Sequence, residues 1–351
     1  MRRIAIIGFL AWAALATCAS GVGVLTVDSP AYSFGEILGG EVVSHAFVLT
    51  NSGDATVNVT NVKASCHCTS PSWTTATLSP GASLTLVATF NSWGFNGQEA
   101  KTVTVYYNSG GQSAKLLLNL TATVVKPEPQ DVTTGALDVA FQILIDVRSA
   151  AAYAAGHLMG ALSIPYDELG SSIGALPRGV FTVVYDQDGS RAAAAARVLR
   201  TGGYADVEYL QGGFDAWTKA YGNRFVTSGP AIADRFVLAA EPASSLSGAP
   251  LKGVEAEDVK RDLLVLVDLR SPEAYAAAHF AGAANVRPAD VLAWASRLRR
   301  DARMVLYDED TSLARAQALV LRGARYSNAQ ALWGGLARWR ATFGDRLLTS
   351  T

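Results

Sequence analysis

The stretch "LIDVRSAAAYAAGHLMGALSIPYDEL" (residues 144–169) decides the fold, because its pattern returns as "LVDLRSPEAYAAAHFAGAANV" (266–286). In both stretches a short apolar run ends at an aspartate, and an Ala-rich segment follows. Apolar runs that alternate with Ala-rich helical segments are typical of βαβ units on a parallel sheet. The sequence therefore predicts an α/β unit that occurs twice.

The duplication extends over the whole of each unit. Matching residues in the two copies are separated by a constant spacing of 122 positions. The pairs are Asp146 and Asp268, His157 and His279, Asp186 and Asp308, Gly212 and Gly334, and Trp217 and Trp339. A constant spacing means that the two repeats differ by no net insertion between these residues.

The repeats resemble the rhodanese, or sulfurtransferase, family. The resemblance rests on the Asp-x-Arg, Gly-His and Gly-Ala motifs within 144–169, on "GGYADVEYLQGGFDAW" (202–217), and on "ALWGGLARW" (331–339) in the second copy. It covers Thr133 to Gly344, and several separated motifs occur twice in the same order. It implies a five-stranded parallel sheet flanked by helices in each repeat.

The resemblance also implies where sulfur chemistry takes place. In active members a cysteine opens the loop after the fourth strand and carries sulfane sulfur as a persulfide, while loop N–H groups hold the anion. The first repeat has "DQDGSRA" (186–192) here, with Asp186 at the cysteine position and a second acid at Asp188. The family's Gly-x-Arg is kept at Gly189, Ser190 and Arg191.

The second loop, "DEDTSLA" (308–314), departs further from the family pattern. Asp308 stands at the cysteine position, Glu309 and Asp310 add negative charge, and Leu313 replaces the arginine. A carboxylate cannot carry sulfur as a persulfide, and clustered acids repel thiosulfate, sulfide and phosphate. We expect each aspartate to occupy the N–H donors of its own loop, so the sequence predicts no catalytic residue in either repeat.

Other functions for these residues are less favoured. "DQDGS" begins like a calcium loop but lacks glycine at the sixth position, and Arg197 stands where the twelfth residue, a glutamate, would be. We therefore predict no metal site in these repeats and no cofactor. The family resemblance implies that His157 and His279 belong to a structural turn, and we expect Trp217 and Trp339 to pack helices.

The region from Val24 to Val125 has a different pattern. Runs such as "SHAFVLTN" and "KTVTVYYN" are β-branched and partly alternating, and turn residues such as "NSGDA" separate them. About one hundred residues of short strands favour an antiparallel sandwich. Through "FGEILGGEVVSHAFVLTNSGDATVNV" (34–59), Cys-x-Cys-Thr, Trp73 and "LSPGASLTLVATF" (78–90), the region resembles a bacterial immunoglobulin-like domain of unknown function, similar to Hydin and abnormal-spindle domains.

The same region contains Cys66 and Cys68, within "KASCHCTSPSW" (63–73). Members of the resembled family often have Cys-Gly-Cys, whereas His67 replaces the glycine here. Three interpretations stay open: a disulfide or redox dithiol, a soft-metal site that includes His67, or inert thiols. Residues two apart on a strand point to one face, which permits the first two.

The N-terminus "MRRIAIIGFLAWAALATCAS" (1–20) has the basic, apolar and small-residue order of a secretory signal. "LATC" also resembles a lipoprotein box, in which Cys18 would be acylated. A net charge of −1 with no basic run disfavours nucleic acid and anionic membrane surfaces as partners. We expect membrane contact only through the signal or a lipid anchor.

These observations predict an exported, multidomain protein with a β-sandwich followed by two α/β domains. The predicted segments are a signal peptide at 1–19, the sandwich at 24–125, a linker at 126–131, repeat one at 132–226, a linker at 227–250 and repeat two at 251–345. The predicted function is non-catalytic binding of an unidentified envelope protein, in the periplasm or cell envelope. The alternative is an envelope thiol-redox or sulfur-handling protein that uses Cys66 and Cys68.

Overall fold

The β-branched runs of the N-terminal region form a sandwich of two sheets. The computed structural model describes residues 21–229, 235–236 and 251–350. The strands of the sandwich are β1 (Leu25–Val27), β2 (Ala31–Leu38), β3 (Val42–Asn51), β4 (Val57–Ala64), β5 (Thr69–Pro71), β6 (Ala76–Leu78), β7 (Ser83–Asn91), β8 (Gly97–Ser109) and β9 (Gln112–Val125). One sheet has the order β1-β3-β7-β5 and the other has the order β2-β9-β8-β4-β6.

Alternation along these strands places one face of each sheet in the core. Phe47 and Leu49 on β3 are fully buried and pack in one cluster with Val103 on β8 and Leu118 on β9. Neighbouring residues on a strand point to opposite faces, so the residues between them, such as Val48, face away from this core. The strands pair in antiparallel register, for example Phe47 with Leu86 across β3 and β7.

The chain divides into two compact units after Val124, and the second unit contains both repeats. The first repeat contains β10 (Asp131–Val132), α1 (Thr134–Ala140), β11 (Gln142–Asp146), α2 (Ala150–Ala155), β12 (His157–Leu158), β13 (Ala161–Ser163), α3 (Leu169–Ser172), β14 (Phe181–Tyr185), α4 (Ala192–Thr201), β15 (Val207–Leu210), α5 (Gly213–Tyr221) and β16 (Val226–Thr227). The strand β17 (Arg235–Phe236) follows it.

The second repeat has the same order of elements. It contains β18 (Gly253–Val254), α6 (Ala256–Asp262), β19 (Leu264–Asp268), α7 (Pro272–Ala277), β20 (His279–Phe280), β21 (Ala284–Asn285), α8 (Val291–Ala295), β22 (Arg303–Tyr307), α9 (Ser312–Gly323), β23 (Ala329–Leu332), α10 (Gly335–Phe343) and β24 (Leu348–Ser350). Short 3₁₀ turns add Tyr166–Glu168, Ile173–Ala175 and Pro288–Asp290.

Two five-stranded parallel sheets form the centre of the second unit. Their orders are β18-β15-β14-β11-β13 and β10-β23-β22-β19-β21. The strands are buried on both faces by helices, which explains their nearly continuous apolar sequences. The predicted fold class, a β-sandwich followed by two α/β domains with parallel sheets, is confirmed.

The two repeats exchange their first strands. β10 of the first repeat pairs with β23 of the second, with Val132 opposite Leu332. β18 of the second repeat pairs with β15 of the first, with Val254 opposite Leu210. Each sheet is therefore completed by a strand from the other copy, and Asp131, the last residue of the predicted linker at 126–131, lies in β10.

The helix that follows each exchanged strand also packs against the other repeat. Leu137 on α1 is fully buried in one cluster with Leu336 and Trp339 of the second repeat. Arg346 Nε also donates to Asp138 Oδ1 over 3.0 Å. In the reverse direction, Val259 on α6 packs in the cluster that contains Leu210 and Trp217 of the first repeat.

Several predicted features lie outside the described residues. They are the signal peptide, Cys18 and most of the predicted linker at 227–250. Within the described part of the chain, no helix is long and apolar enough to cross a membrane.

Candidate functional site

The loop at 186–191 lies at the carboxyl end of β14, a central strand of the first repeat's sheet. β14 ends at Tyr185 and α4 begins at Ala192, so the loop connects a buried strand directly to a helix N-terminus. Asp186 is only 5% exposed. The strand-loop-helix arrangement aims several backbone N–H groups inward, which is the geometry of an anion site.

The carboxylate of Asp186 accepts hydrogen bonds from this loop. The N–H of Gly189 donates to its Oδ1 over 2.6 Å, and the N–H of Arg191 donates to its Oδ2 over 2.6 Å. The hydroxyl of Ser190 lies 3.4 Å from Oδ2. These N–H groups are therefore bound to a charged side chain of the protein itself, while Arg191 extends into solvent.

The second repeat has the same arrangement. The N–H of Thr311 donates to Asp308 Oδ1 and the N–H of Leu313 donates to its Oδ2, both over 2.7 Å. The hydroxyl of Thr311 also accepts a hydrogen bond from the N–H of Gly334. Both loops are thus closed by one aspartate that bonds the third and fifth residues after it.

Further acids on these loops face solvent. Hydrogen bonds from the hydroxyl and N–H of Ser190 hold the pKa of Asp188 below its ordinary value. Hydrogen bonds from the N–H and hydroxyl of Ser312 lower the pKa of Asp310 in the same way. Both side chains are therefore charged near pH 7 and add a negative charge at each loop mouth.

An arginine with little exposed surface connects each loop to the strand next to it in the sheet, which is β11 for the first loop and β19 for the second. Arg148 makes a salt bridge to Asp146 over 2.6 Å and donates to Gln187 Oε1 over 3.0 Å. Burial opposes the charge of Arg148, but the hydrogen bonds and charge of Asp146 leave its pKa raised. In the second repeat, Arg270 bonds Asp268 and approaches Glu309 Oε2 at 3.5 Å. This arginine is committed to structural partners in both copies.

The Gly-Gly pair of each repeat lies against the loop from the other side. A Cβ atom at Gly213 would lie 2.6 Å from the carbonyl oxygen of Asp186, and one at Gly335 would lie 2.6 Å from that of Asp308. Gly213 also has a φ of +57°. The loop can therefore adopt this conformation only if the second position of the Gly-Gly pair is a glycine.

The two histidines lie away from the loops and have similar structural contacts. The Nδ1 atoms of His157 and His279 lie 2.9 Å and 2.8 Å from the carbonyl oxygens of Tyr153 and Tyr275. Each ring also stacks on the tyrosine. Burial lowers the pKa of His157 below its ordinary value. Trp217 on α5 and Trp339 on α10 are fully buried, as expected for residues that pack these helices.

Cys66 and Cys68 form a disulfide, with Cα atoms 5.2 Å apart. They lie in the turn between β4 and β5, so the premise that both lie on a strand was wrong. Both are partly exposed and His67 between them is exposed. Within the described residues, no group of His, Cys, Asp or Glu side chains suits a metal ion. Of the three interpretations, the structure contains the disulfide.

A cleft lies between the two repeats, and no motif of the sequence predicted it. It has a volume of about 370 Å³ and lies between the outer strands β13 and β21 of the two sheets. Tyr153, His157 and Trp294 line it. The only hint in the sequence is the Gly-Ala motif, because Gly160 and Gly282 also line the cleft and their backbones approach each other.

Comparison with family models divides the chain in the same way. Residues 25–124 match the model described as a protein of unknown function, DUF1573. Residues 128–220 and 253–342, just over half of the chain, match the model described as the rhodanese-like domain. Both resemblances inferred from the motifs are confirmed at the level of the family.

Curated relatives match a single rhodanese-like segment. Thiosulfate sulfurtransferase GlpE of Pseudomonas fluorescens is 32% identical over 79 residues, which cover 22% of this chain and 72% of that protein. Uncharacterized protein slr1261 of Synechocystis is 35% identical over 78 residues, which cover 22% of this chain and 44% of that protein. The chain therefore spans less than half of the Synechocystis relative.

Comparison with solved structures gives matches that cover about a third of the chain. The ASH / PapD-like domain of human CEP192 has a TM-score of 0.27 at 14% identity, and covers 30% of this chain and 87% of that one. A protein of unknown function from Porphyromonas gingivalis has a TM-score of 0.25 at 20% identity, and covers 31% of this chain and 50% of that one. Likenesses of this size carry no functional information.

Proposed function

This chain belongs to the rhodanese-like domain family, and we propose that it is a non-catalytic member with a binding or scaffold role in the cell envelope. The observation that carries the proposal is the pair of aspartates. Asp186 and Asp308 stand where the family's sulfur-carrying cysteine is expected, and each carboxylate bonds two N–H groups of its loop at 2.6 or 2.7 Å.

Charge supports the same conclusion. A thiosulfate or sulfide ion that entered either loop would meet a buried carboxylate and an exposed one, such as Asp188 or Asp310, before it reached a free donor. Repulsion between like charges in a partly buried site is stronger than in water. A partner protein that recognises the outer surface of the loops needs neither a nucleophile nor an empty anion site.

The envelope location rests on the N-terminal sequence. The basic and apolar order of residues 1–19 supports export, and Cys18 supports a lipid anchor if it is acylated. A disulfide at Cys66 and Cys68 supports an oxidising compartment. The proposed partner is an envelope protein.

The second candidate is a thiol-redox or sulfur-handling protein of the envelope, and the disulfide supports it. Cys66, His67 and Cys68 lie in a surface turn in which the disulfide is partly exposed, so a partner thiolate has access to the sulfur atoms. In that case the repeats would act as adaptors that bring a substrate to the sandwich.

One assay separates the two candidates. The name of the GlpE relative suggests thiosulfate as the sulfur donor, and cyanide is the acceptor. We expect the purified protein to transfer no sulfur, either with its native cysteines or with Cys66→Ser and Cys68→Ser together. Transfer that is lost in the double variant would favour the second candidate. Transfer that survives in it would contradict the role given to Asp186 and Asp308.

A disulfide-reduction assay on the same two proteins completes the comparison. Reduction of a test disulfide by the native protein and not by the double variant would again favour the second candidate. For the leading proposal, we expect crosslinking in intact cells to capture an envelope partner. Capture should survive the double cysteine variant.

A further inference from the structure

The cleft between the two repeats has the properties of a ligand site. It is bordered by β13 and β21, which are the outer strands of their sheets, and its volume is about 370 Å³. That volume lies within the range of small-molecule pockets, which begins at roughly 300 Å³. No residue of the loops at 186–191 and 308–313 lines it.

The lining of the cleft has no charged side chain and favours an uncharged ligand with a flat apolar body, although Ser163, Thr227 and Ser228 also contribute hydroxyl groups. Three aromatic side chains contribute to it, from Tyr153, Tyr275 and Trp294. Met159 and Ile164 add flexible and branched apolar surface. Among the described residues that line the cleft, none is Asp, Glu, Lys or Arg. An ionic ligand would lose its hydration there without gaining a counter-charge.

His157 presents a hydrogen-bond acceptor to this cleft. Its Nδ1 lies 2.9 Å from the carbonyl oxygen of Tyr153, which can only accept, so Nδ1 carries the proton. In the neutral ring Nε2 is then an acceptor. His157 is 7% exposed as a residue, and within residues 21–229, 235–236 and 251–350 its ring is hydrogen-bonded through Nδ1 and not through Nε2.

In the second repeat the corresponding histidine has a hydrogen-bond partner at Nε2. His279 pairs with Thr349 across β20 and β24, as His157 pairs with Thr227 across β12 and β16. The hydroxyl of Thr349 lies 3.0 Å from His279 Nε2, and both residues are fully buried. Thr227 instead lines the cleft and makes no such bond within the described part of the chain. The second repeat therefore shows the hydrogen bond that His157 lacks in the first repeat.

We propose that this cleft binds a small, neutral aromatic molecule that donates one N–H or O–H hydrogen bond to His157 Nε2. The inference goes beyond the proposed partner-binding function and does not depend on it, because the cleft is separate from both loops. The burial that lowers the pKa of His157 keeps the ring neutral near pH 7, so the acceptor is available there.

Indole and indene provide a matched pair of probes for calorimetric titration of the full-length protein. They have nearly the same shape, but only indole has the N–H donor. We expect indole to bind more tightly than indene by about five- to tenfold, the value of one net hydrogen bond. His157→Phe should weaken indole by that factor and leave indene unchanged. Equal affinities for both probes in the native protein would overturn the proposal.

A second variant tests the location. Ala284→Phe fills the cleft from β21 and leaves His157 in place, so it should abolish binding of both probes. Ala193→Phe, on a partly buried face of α4 outside the cleft, should bind them as the native protein does. Binding that survives Ala284→Phe, or no binding of either probe to the native protein, would overturn the proposal. If His157→Phe does not fold, the ratio between the two probes in the native protein carries the test.

Discussion

In each loop a single aspartate side chain accepts the hydrogen bonds of the loop's N–H groups, and the short length of this side chain makes that possible. The carboxylate of Asp186 is short enough to stay beneath its own loop and has two oxygens, one for the N–H of Gly189 and one for that of Arg191. A cysteine at this position would place one sulfur atom among the same donors. The loop is therefore an anion cradle that holds a carboxylate in place of a thiolate.

Asp186→Cys should produce a reactive thiol. The N–H groups of Gly189 and Arg191 become available to the thiolate and lower the pKa of the introduced thiol, whereas the nearby charge of Asp188 raises it. We expect alkylation by iodoacetamide at pH 7 to be about tenfold faster than for an ordinary exposed cysteine. Cys66→Ser and Cys68→Ser in the background remove the other two cysteines of the described residues, so that neither reduction nor exchange of their disulfide adds to the signal. The measurement is the alkylation rate against pH.

Asp308→Cys is the matched variant in the second repeat. Backbone N–H donors are present there as well, from Thr311 and Leu313 and, at 3.4 Å, from Ala314. Leu313 has no charge, however, and Glu309 and Asp310 are both exposed. We expect slower alkylation than at position 186. A faster reaction at position 308 would show that charge does not control these loops.

Gly213→Ala tests the contact behind the first loop. The new Cβ would meet the carbonyl oxygen of Asp186 at 2.6 Å, on a residue with a φ of +57°. Gly222 is the control, because its φ is +61° and no atom lies within 4 Å of a Cβ there. Gly222→Ala should cost about 1 kcal/mol of strain, and Gly213→Ala about 1–3 kcal/mol more. Denaturant unfolding measures both, and equal losses would exclude the steric argument.

At the scale of elements, the exchanged strands are the main feature of the second unit. β10 and β18 are two residues long, so their few ladder bonds cannot hold them alone. Their helices supply the rest, because Leu137 and Val259 are buried in clusters with residues of the opposite repeat. Each strand-helix segment therefore stabilises the copy to which it does not belong in sequence.

Leu137→Ala should loosen the second repeat although Leu137 belongs to the first. We expect a loss of about 2–5 kcal/mol from the cavity. Hydrogen exchange should increase most in α10 and β23, which contact α1 and β10. Mass spectrometry of exchanged peptides measures it. An increase confined to 141–226 would contradict the exchange.

Val259→Ala provides the mirror experiment. Val259 is buried on α6 among residues that include Leu210 and Trp217 of the first repeat. The smaller side-chain change should cost less than Leu137→Ala, and the increased exchange should appear in α5 and β15. If each variant increases hydrogen exchange in the repeat to which the substituted residue does not belong, both exchanged segments are identified independently.

At the scale of the molecule, the exchange makes the two repeats one folding unit. Neither sheet is complete without a strand from the other copy, whereas the sandwich ends at Val124 and has its own core. Residues that depend on each other's burial open together, and separately packed residues need not do so.

Native-state hydrogen exchange with increasing denaturant tests this cooperativity. We expect amides of β11 and β19, for example Ile145 and Val267, to merge into one opening transition. An amide of the sandwich core, such as Leu49 on β3, is the control and should follow its own transition. Separate transitions for β11 and β19 would show that each repeat folds alone despite the exchange.

The sequence by itself determined the features that depend on neighbours along the chain. The loop bonds join Asp186 to residues three and five positions later, so the motif that places an aspartate there also places its donors. The 122-residue spacing determined the duplication, and alternation determined the sandwich. The state of Cys66 and Cys68 stayed open because the sequence pattern permits a disulfide, a metal site and free thiols.

Only the tertiary structure decided which copy completes which sheet and where the cleft lies. β10 and β18 have nearly equivalent partners, and the sequence of a repeat fits either sheet, so local pattern cannot choose between them. The cleft is made by two outer strands more than a hundred residues apart. Contacts between distant segments depend on how whole units pack. The same packing places His157 in the lining of the cleft, whereas His279 Nε2 lies beside the hydroxyl of Thr349.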